Sequence, residues 1–278
     1  MSDPLFSIVI PTFQSEQTIH SCVSSVLGQT FESFEIIVQD GQSSDNTTEI
    51  VRSFGDPRVK LISEKDVGVY DAMNRALKSV LGTWILFLGS DDVLFERSTL
   101  ASLSHIVKQT AADIVYGNVI MSGDSHWIED GTIYRGETDL ATLFEQNLSH
   151  QAILYKKRVF EDGHRFNLDY PICADFDLNL ACFAQYNIEY TPLIISVFAT
   201  GGMSTQHVDE RFEAEKWKNI IYYYRGKLRQ PEFLRHKGII KKTGKELLKK
   251  GEYSTGITAL STYLYFKVLK LLKKNRPN

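Results

Sequence analysis

The stretch Trp84-Ile85-Leu86-Phe87-Leu88-Gly89-Ser90-Asp91-Asp92 decides how the chain is read. Five apolar residues in a row, rich in aromatic and branched side chains, predict a strand buried on both faces, as in parallel sheets covered by helices. The run stops at Gly89 and gives way to two adjacent carboxylates. Ligands of open α/β sheets bind beyond the carboxyl ends of the strands. Two neighbouring carboxylates repel each other, and a divalent cation is the usual counter-charge. Taken alone, the pair reads equally as a solvated turn capping the helix that starts near Ser98, so the flanking segments have to decide.

Upstream, residues 6–10 form a short apolar run stopped by Pro11. Ile19, Cys22, Val23, Val26 and Leu27 then fall on one face of a helix over 18–29. A second strand over 34–38 ends at Asp40-Gly41. Ser43-Ser44-Asp45 offers an N-cap to a helix that runs to Phe54 and buries Ile50, Val51 and Phe54. Residues 59–62 are a third strand, and Val69, Ala72, Met73, Ala76, Leu77 and Val80 trace the next helical stripe. This alternation predicts βαβ units and a parallel sheet. Parallel strands deliver their C-terminal ends to one edge. Thr12-Phe13, Asp40-Gly41, Glu64 with Asp66, and Asp91-Asp92 are therefore expected around one acidic crevice.

Downstream, the pattern predicts a helix over 98–109, a strand over 114–116 and β-rich connections over 119–137. A helix over 138–146 and a strand over 152–155 follow. A further helix runs from Cys173 to about Tyr186, with Asp175 and Asp177 in its first turn, and 200–204 is a loop.

With 278 residues, 43% apolar and 23% charged, the composition is that of an ordinary globular protein. Cys22, Cys173 and Cys182 have no metal-site spacing and cannot all pair, which favours a reducing, cytoplasmic setting. No apolar run reaches the ~20 residues of a membrane span. The net charge of −3 hides a division: residues 226–278 hold 14 Lys and Arg against three Asp and Glu, leaving 17 against 31 in residues 1–225. An acidic body (1–225) and a basic helical C-terminal region (226–278) are expected. Residues 257–272 are mostly apolar with Lys267 and Lys270 inside the run. Such a helix either lies in a membrane interface, touching anionic lipid through 250–274, or docks on the body with its lysines solvated. No nucleic-acid-binding motif accompanies these cations.

Rival chemistries lack their signatures. No G-x-G-x-x-G follows the first strand, and no G-x-S-x-G elbow occurs. Gly238 to Gly244-Lys245 has five intervening residues where a P-loop has four, with Glu246 in place of the Ser or Thr. A nucleotidyltransferase would share the acidic sheet edge, but Pro11-Thr12-Phe13-Gln14 is not its Gly-rich basic loop. A nucleotide-sugar-binding module without turnover is the non-enzymatic alternative.

Together the segments resemble family 2 glycosyltransferases of the GT-A fold, in particular those that build bacterial surface polysaccharides. The matching stretches are Ser7-Ile8-Val9-Ile10-Pro11-Thr12-Phe13, residues 40–47 from Asp40 to Thr47, residues 64–75 from Glu64 to Arg75, and Phe87-Leu88-Gly89-Ser90-Asp91-Asp92. His150-Gln151, Ala174-Asp175-Phe176-Asp177-Leu178 and Gly201-Gly202-Met203-Ser204 match more weakly. Gln14 stands where Asn is usual and Gly89 where Asn is common. The resemblance implies a Rossmann-like, mainly parallel sheet flanked by helices. It also implies inverting transfer from a nucleoside-diphosphate-sugar, UDP favoured, to a hydroxyl of a glycan or lipid-linked oligosaccharide. The cofactor would be Mn2+ or Mg2+, and the location cytoplasmic or peripheral on the inner face of the plasma membrane. By the same resemblance Asp92 holds the metal, and Asp91 meets the ribose or a metal-bound water. Asp40 accepts from the base, Phe13 stacks on it, and Pro11, Thr12, Asp66, Asn74 and Arg75 complete the nucleotide crevice. Asp175 is the candidate general base, with Asp177 its rival. His150 and Gln151 would line the acceptor side, and His207 would reach the diphosphate.

Overall fold

The computed structural model describes residues 3–123, 128–200 and 208–274. Four strands, β1 (Phe6–Thr12), β2 (Phe34–Asp40), β3 (Val59–Ser63) and β4 (Trp84–Phe87), alternate with the helices α1 (Ile19–Leu27), α2 (Thr47–Ser53) and α3 (Val69–Ala76). They pair in parallel in the spatial order β3-β2-β1-β4. Alternation along each strand sends its side chains to two separate cores. Val9, Ile37, Ile85 and Phe87 meet Tyr70, Met73 and Ala76 of α3 on one face. Ile8, Ile10, Ile36, Val38 and Leu86 meet Ile19, Val23 and Val26 of α1 on the other. Both faces of the opening strand are buried, as its unbroken apolar run requires.

The second half of the sheet is mixed. After β5 (Val93–Leu94) and α4 (Thr99–Gln109) come β6 (Ile114–Ser122), β7 (Ile133–Tyr134), the helix α5 (Leu140–Leu143) and a 3-10 turn (His150–Ala152). β8 (Ile153–Lys156), α6 (Lys157–Glu161), α7 (Ala174–Gln185) and β9 (Ile188–Ala199) follow. β8 runs antiparallel between β4 and β6, and the order continues β4-β8-β6-β9-β5. β9 is a 12-residue strand that the sequence pattern does not announce, since Glu189, Thr191 and Pro192 interrupt its apolar residues. It pairs in parallel with β6 through a register shift at Gly117. A Cβ there would lie 2.6 Å from the Leu193 carbonyl oxygen, so only glycine lets the strands approach. The helix expected over 138–146 is a single turn, capped by the Asp139 carboxylate accepting from the Thr142 N–H at 2.7 Å.

Three helices close the chain: α8 (Glu210–Tyr223), α9 (Lys237–Lys249) and α10 (Tyr253–Lys274). Phe212, Ile220, Tyr224, Leu228, Phe233, Ile240, Ala259 and Phe266 all belong to the cluster that contains Val9 and Phe87. The charge boundary at 225/226 thus lies inside one continuous apolar core. α9 and α10 cross where Gly244 and Gly256 meet. A Cβ on Gly244 would stand 2.8 Å from the Ala259 Cβ, and one on Gly256 2.8 Å from Leu248 Cδ2. Among the described residues no helix is long and apolar enough to cross a membrane.

Candidate active site

The carboxyl ends of β1 and β4, the 3-10 turn, α7 and the end of β9 surround a cavity of about 480 Å3. Of the residues expected at a site, Pro11, Asp91, Asp92, His150, Gln151 and Asp175 line it. The backbone at this edge is unusual. Gln14 and Gln42, after β1 and β2, are the two non-glycine residues with positive φ among those described, at 52° and 65°. Left-handed side-chain-bearing residues concentrate at functional sites, and Asn tolerates that region best. Here the Ser43 hydroxyl accepts from the Gln14 N–H at 2.8 Å, which holds the turn.

Asp91 is exposed, whereas Asp92 is 2% exposed. Asp92 Oδ2 accepts from Gln151 Nε2 at 2.9 Å and the Gly89 N–H at 3.1 Å, and Oδ1 accepts from the Ala199 N–H at 2.9 Å. These donors are all neutral. Burial and then the neighbouring Asp91 charge push the Asp92 carboxyl up to about 6. The two carboxylates fold back over Gly89, where a Cβ would sit 2.5 Å from Asp92 Oδ2 and 2.9 Å from Asp91 Oδ1. That clash explains the glycine. Among the described residues no cluster of three or more His, Cys, Asp or Glu side chains forms a protein-only metal site. A magnesium-like ion shared with substrate phosphates needs only one or two carboxylates. An ionised carboxylate offers about four lone-pair sites and Asp92 uses three, so the pair fits such an ion, which would also offset the buried charge.

Across the cavity Asp175, 8% exposed, opens α7. Its Oδ2 accepts from Asn147 Nδ2 at 3.0 Å and lies 3.1 Å from His150 Nδ1. Its Oδ1 accepts from the Phe176 N–H at 2.8 Å and lies 3.0 Å from the Tyr70 hydroxyl, whose single proton is shared with the Ile172 carbonyl 2.7 Å away. Burial, then the Asp175 charge, pushes the Tyr70 phenol well up, so it stays a neutral donor. Asp177 points elsewhere: Asn219 Nδ2 at 2.8 Å and the Tyr223 hydroxyl at 2.9 Å, both on α8, donate to it.

The remaining expected residues lie off the cavity wall. Asp40 is fully buried, its oxygens accepting from the Ser63 hydroxyl at 2.6 Å and the Ser43 N–H at 3.2 Å. The Asp66 carboxylate stands over Gly41, where a Cβ would meet its Oδ2 at 2.8 Å. Burial pushes Asp66 upward. Asn74 exchanges both amide bonds with the Phe166 backbone, at 2.8 and 3.0 Å, and Arg75 pairs with Asp71 at 2.9 Å. Phe13 is 61% exposed beside the crevice, and the buried Thr12 hydroxyl has no partner among the described residues. His207 and residues 201–204 lie outside the described residues. Sequence reasoning missed Asn147, a lone loop residue without any pattern, and placed Tyr70 only within the matching stretch 64–75 without a role.

The profile of the family described as Glycosyl transferase family 2 matches residues 7–162. A PGL/p-HBAD biosynthesis glycosyltransferase of Mycobacterium tuberculosis is 37% identical over 221 residues, covering 76% of this chain and 84% of that protein. The Escherichia coli UDP-Glc:alpha-D-GlcNAc-diphosphoundecaprenol beta-1,3-glucosyltransferase WfgD is 40% identical over 119 residues, 42% of this chain and 47% of its own. The crystal structure of S. aureus TarS 1–349 superposes with a TM-score of 0.64 at 20% identity, covering 96% of this chain and 81% of that one. The chain belongs to glycosyltransferase family 2 and has the GT-A fold.

Proposed function

We propose that this glycosyltransferase moves a sugar from a nucleoside-diphosphate donor, UDP favoured, to a hydroxyl of a glycan or lipid-linked oligosaccharide, inverting the anomeric carbon in one displacement. One observation carries the reading. Carboxylates from two distant elements, Asp91-Asp92 after β4 and Asp175 at the start of α7, line the same cavity. An inverting displacement needs charge neutralisation on the leaving side and a proton acceptor on the attacking side. Asp92, with Asp91 at the ribose or a metal-bound water, would hold Mn2+ or Mg2+, which when bound offsets the charge growing on the departing diphosphate. Asp175 takes the proton of the acceptor hydroxyl. The hydrogen bonds from Asn147 and the Phe176 N–H, with His150 and Tyr70 beside them, keep it aimed while the hydroxyl approaches. Phe13, exposed just after β1, would stack on the base. Asp40 and Asp66 shape the loops below it, and Asn74 and Arg75 brace that side. The E. coli relative, named for a UDP-sugar donor and a diphosphoundecaprenol-linked acceptor, supports the substrate classes.

We further infer that residues 1–225 do the chemistry and that 250–274 rest on anionic lipid at the cytoplasmic face of the membrane. The test is transfer from labelled UDP-, GDP- and dTDP-sugars with and without Mn2+. A UDP-sugar should be used in the presence of Mn2+. Asp92→Asn should abolish transfer and keep the melting temperature within a few degrees. Full activity with chelator present would overturn the metal-assisted mechanism, and indifference to every nucleotide-sugar would overturn the donor.

A further inference from the structure

We propose that the 3-10 turn at His150–Ala152 is a gauge that sets the separation between the two chemical ends of the site. His150 acts on Asp175 and Gln151 acts on Asp92. The inference rests on the function proposed above and gives these two residues a role beyond lining the acceptor side.

Asp92 and Asp175 lie 83 positions apart, on a strand end and a helix start, and the adjacent residues 150 and 151 reach one each. Gln151 Nε2 donates to Asp92 Oδ2 at 2.9 Å, and His150 Nδ1 stands 3.1 Å from Asp175 Oδ2. A carboxylate that is to accept a proton from the acceptor hydroxyl can only accept here, so the contact requires the His150 Nδ1 to donate. The turn is fixed from three sides. The Ser149 hydroxyl lies 2.6 Å from Gln151 Oε1, which orients the amide so that its nitrogen faces Asp92. The Ser196 hydroxyl on β9 donates to the Gln151 carbonyl at 3.0 Å. The turn then runs straight into β8, whose Leu154 pairs with Leu86 of β4, the strand that ends in the acidic pair. Gln151 and Asp92 are 5% and 2% exposed, so this end of the bridge is shielded from water.

In a single displacement the base and the leaving group stand on opposite sides of one carbon. Their separation must therefore match a transition state of fixed length, and a misplacement of about 1 Å costs about 10²-fold. Most of the other bonds to Asp175 come from its own helix, α3 and the Asn147 loop, and two of the three to Asp92 are backbone N–H groups. Among the described residues, the dipeptide alone hydrogen-bonds both carboxylates. His150 and Gln151 are thus positioning residues.

The experiment compares His150→Ala, His150→Asn, Gln151→Leu and the double variant His150→Ala/Gln151→Leu in the full chain, by kcat, KM for donor and melting temperature. Each apolar single variant should lower kcat about 10–100-fold, the usual weight of a group that orients a reacting one, with donor KM little changed. His150→Asn should recover most of kcat, because its amide nitrogen stands where Nδ1 stood. The double variant should lose little more than the worse single, since a gauge broken once is broken. Ser149→Ala serves if Gln151→Leu does not fold, and should lower kcat by freeing the amide. Wild-type kcat in His150→Ala, equal loss in His150→Ala and His150→Asn, or additive losses in the double variant would each overturn the gauge. If the wild type transfers no sugar at all, the functional reading fails. If it transfers and Asp175→Asn is inactive while His150→Ala keeps wild-type kcat, only the gauge fails.

Discussion

The two walls of the cavity are built on different rules. On the β1–β4 wall, packing and chemistry occupy different positions: the strands are buried on both faces, and the polar groups stand beyond their ends. On the α7 wall the two are interleaved. Asp175 and Asp177 sit two residues apart in the first turn of one helix, both at most 8% exposed, and both favoured there by the helix dipole. Positions i and i+2 of a helix do not face each other, so they diverge. Asp175 turns to the cavity and its donors Asn147 and Tyr70, whereas Asp177 turns to Asn219 and Tyr223 and fastens α7 to α8. A strand end advertises its chemistry, while a helix start must be read with its partners in view.

The largest effect expected is the one that would break this contrast. Asp175→Asn keeps the shape and removes the proton acceptor, so turnover should fall about 10²–10⁴-fold with donor affinity nearly unchanged. Asp177→Asn should act on stability. An amide has one oxygen where the carboxylate has two, so either Asn219 or Tyr223 loses its acceptor, at roughly 1–3 kcal/mol in denaturant unfolding. Burial already pushes the Asp177 carboxyl upward, which places its cost in the fold. If kcat collapsed in Asp177→Asn and survived in Asp175→Asn, the base would be Asp177 and the contrast would be inverted.

Legibility follows the same division. In residues 6–92 periodicity located every strand and helix, because a strand covered on both sides leaves an unbroken apolar run such as 84–88 and a one-sided helix leaves a stripe such as 69–80. The convergence of strand ends on one crevice followed from the parallel topology. Direction of individual side chains did not. Asn74 bonds the Phe166 backbone and Asp40 turns inward to Ser63, and both partners are distant in sequence. Beyond residue 110 the signal fades, since β9 is broken by Pro192 and β8 is too short to declare that it runs antiparallel. The candidate roles at Asp175, His150 and Gln151 rested on family resemblance, and their mutual contacts became visible only in three dimensions.

A second pair of regions sharpens the point with a smaller effect. In the sheet, glycines such as Gly89 make room for functional carboxylates, whereas in the α9–α10 crossing Gly244 and Gly256 make room for backbone. Gly244→Val would force its side chain into Ala259 and Leu260, an overpacking that costs about 1–3 kcal/mol. Melting should drop accordingly while kcat on a short soluble acceptor holds, since neither Gly244 nor any other residue of α9 lines the cavity. A parallel loss of kcat at a temperature where the variant is folded would mean that the hairpin shapes the active site.

The smallest effect concerns the outer face of that hairpin. α10 has two apolar sides. Ala259, Thr262 and Phe266 are buried against the body, whereas Ile257 at 60%, Leu264 at 57%, Val268 at 52% and Leu271 at 55% exposure point outward, at helical spacings of three, four and seven. The helix carries no acidic residue, and Lys267 and Lys270 are exposed beside the outer stripe. Water is a poor solvent for such a stripe, and an anionic interface satisfies both its apolar and its cationic groups. Leu264→Ser with Val268→Ser removes two of the inserted side chains. At ~1 kcal/mol each for partial burial, affinity for vesicles containing anionic lipid should fall at least ~10-fold in a sedimentation assay. Because both positions are exposed, unfolding should change by no more than about 0.5 kcal/mol. The sheet offers the opposite case, since a serine at Ile8 or Leu86, both fully buried, would unfold the protein before any surface property could be read. Vesicle binding that survives the double substitution, or that never occurs in the wild type, would mean that α10 serves only to cover α8 and α9.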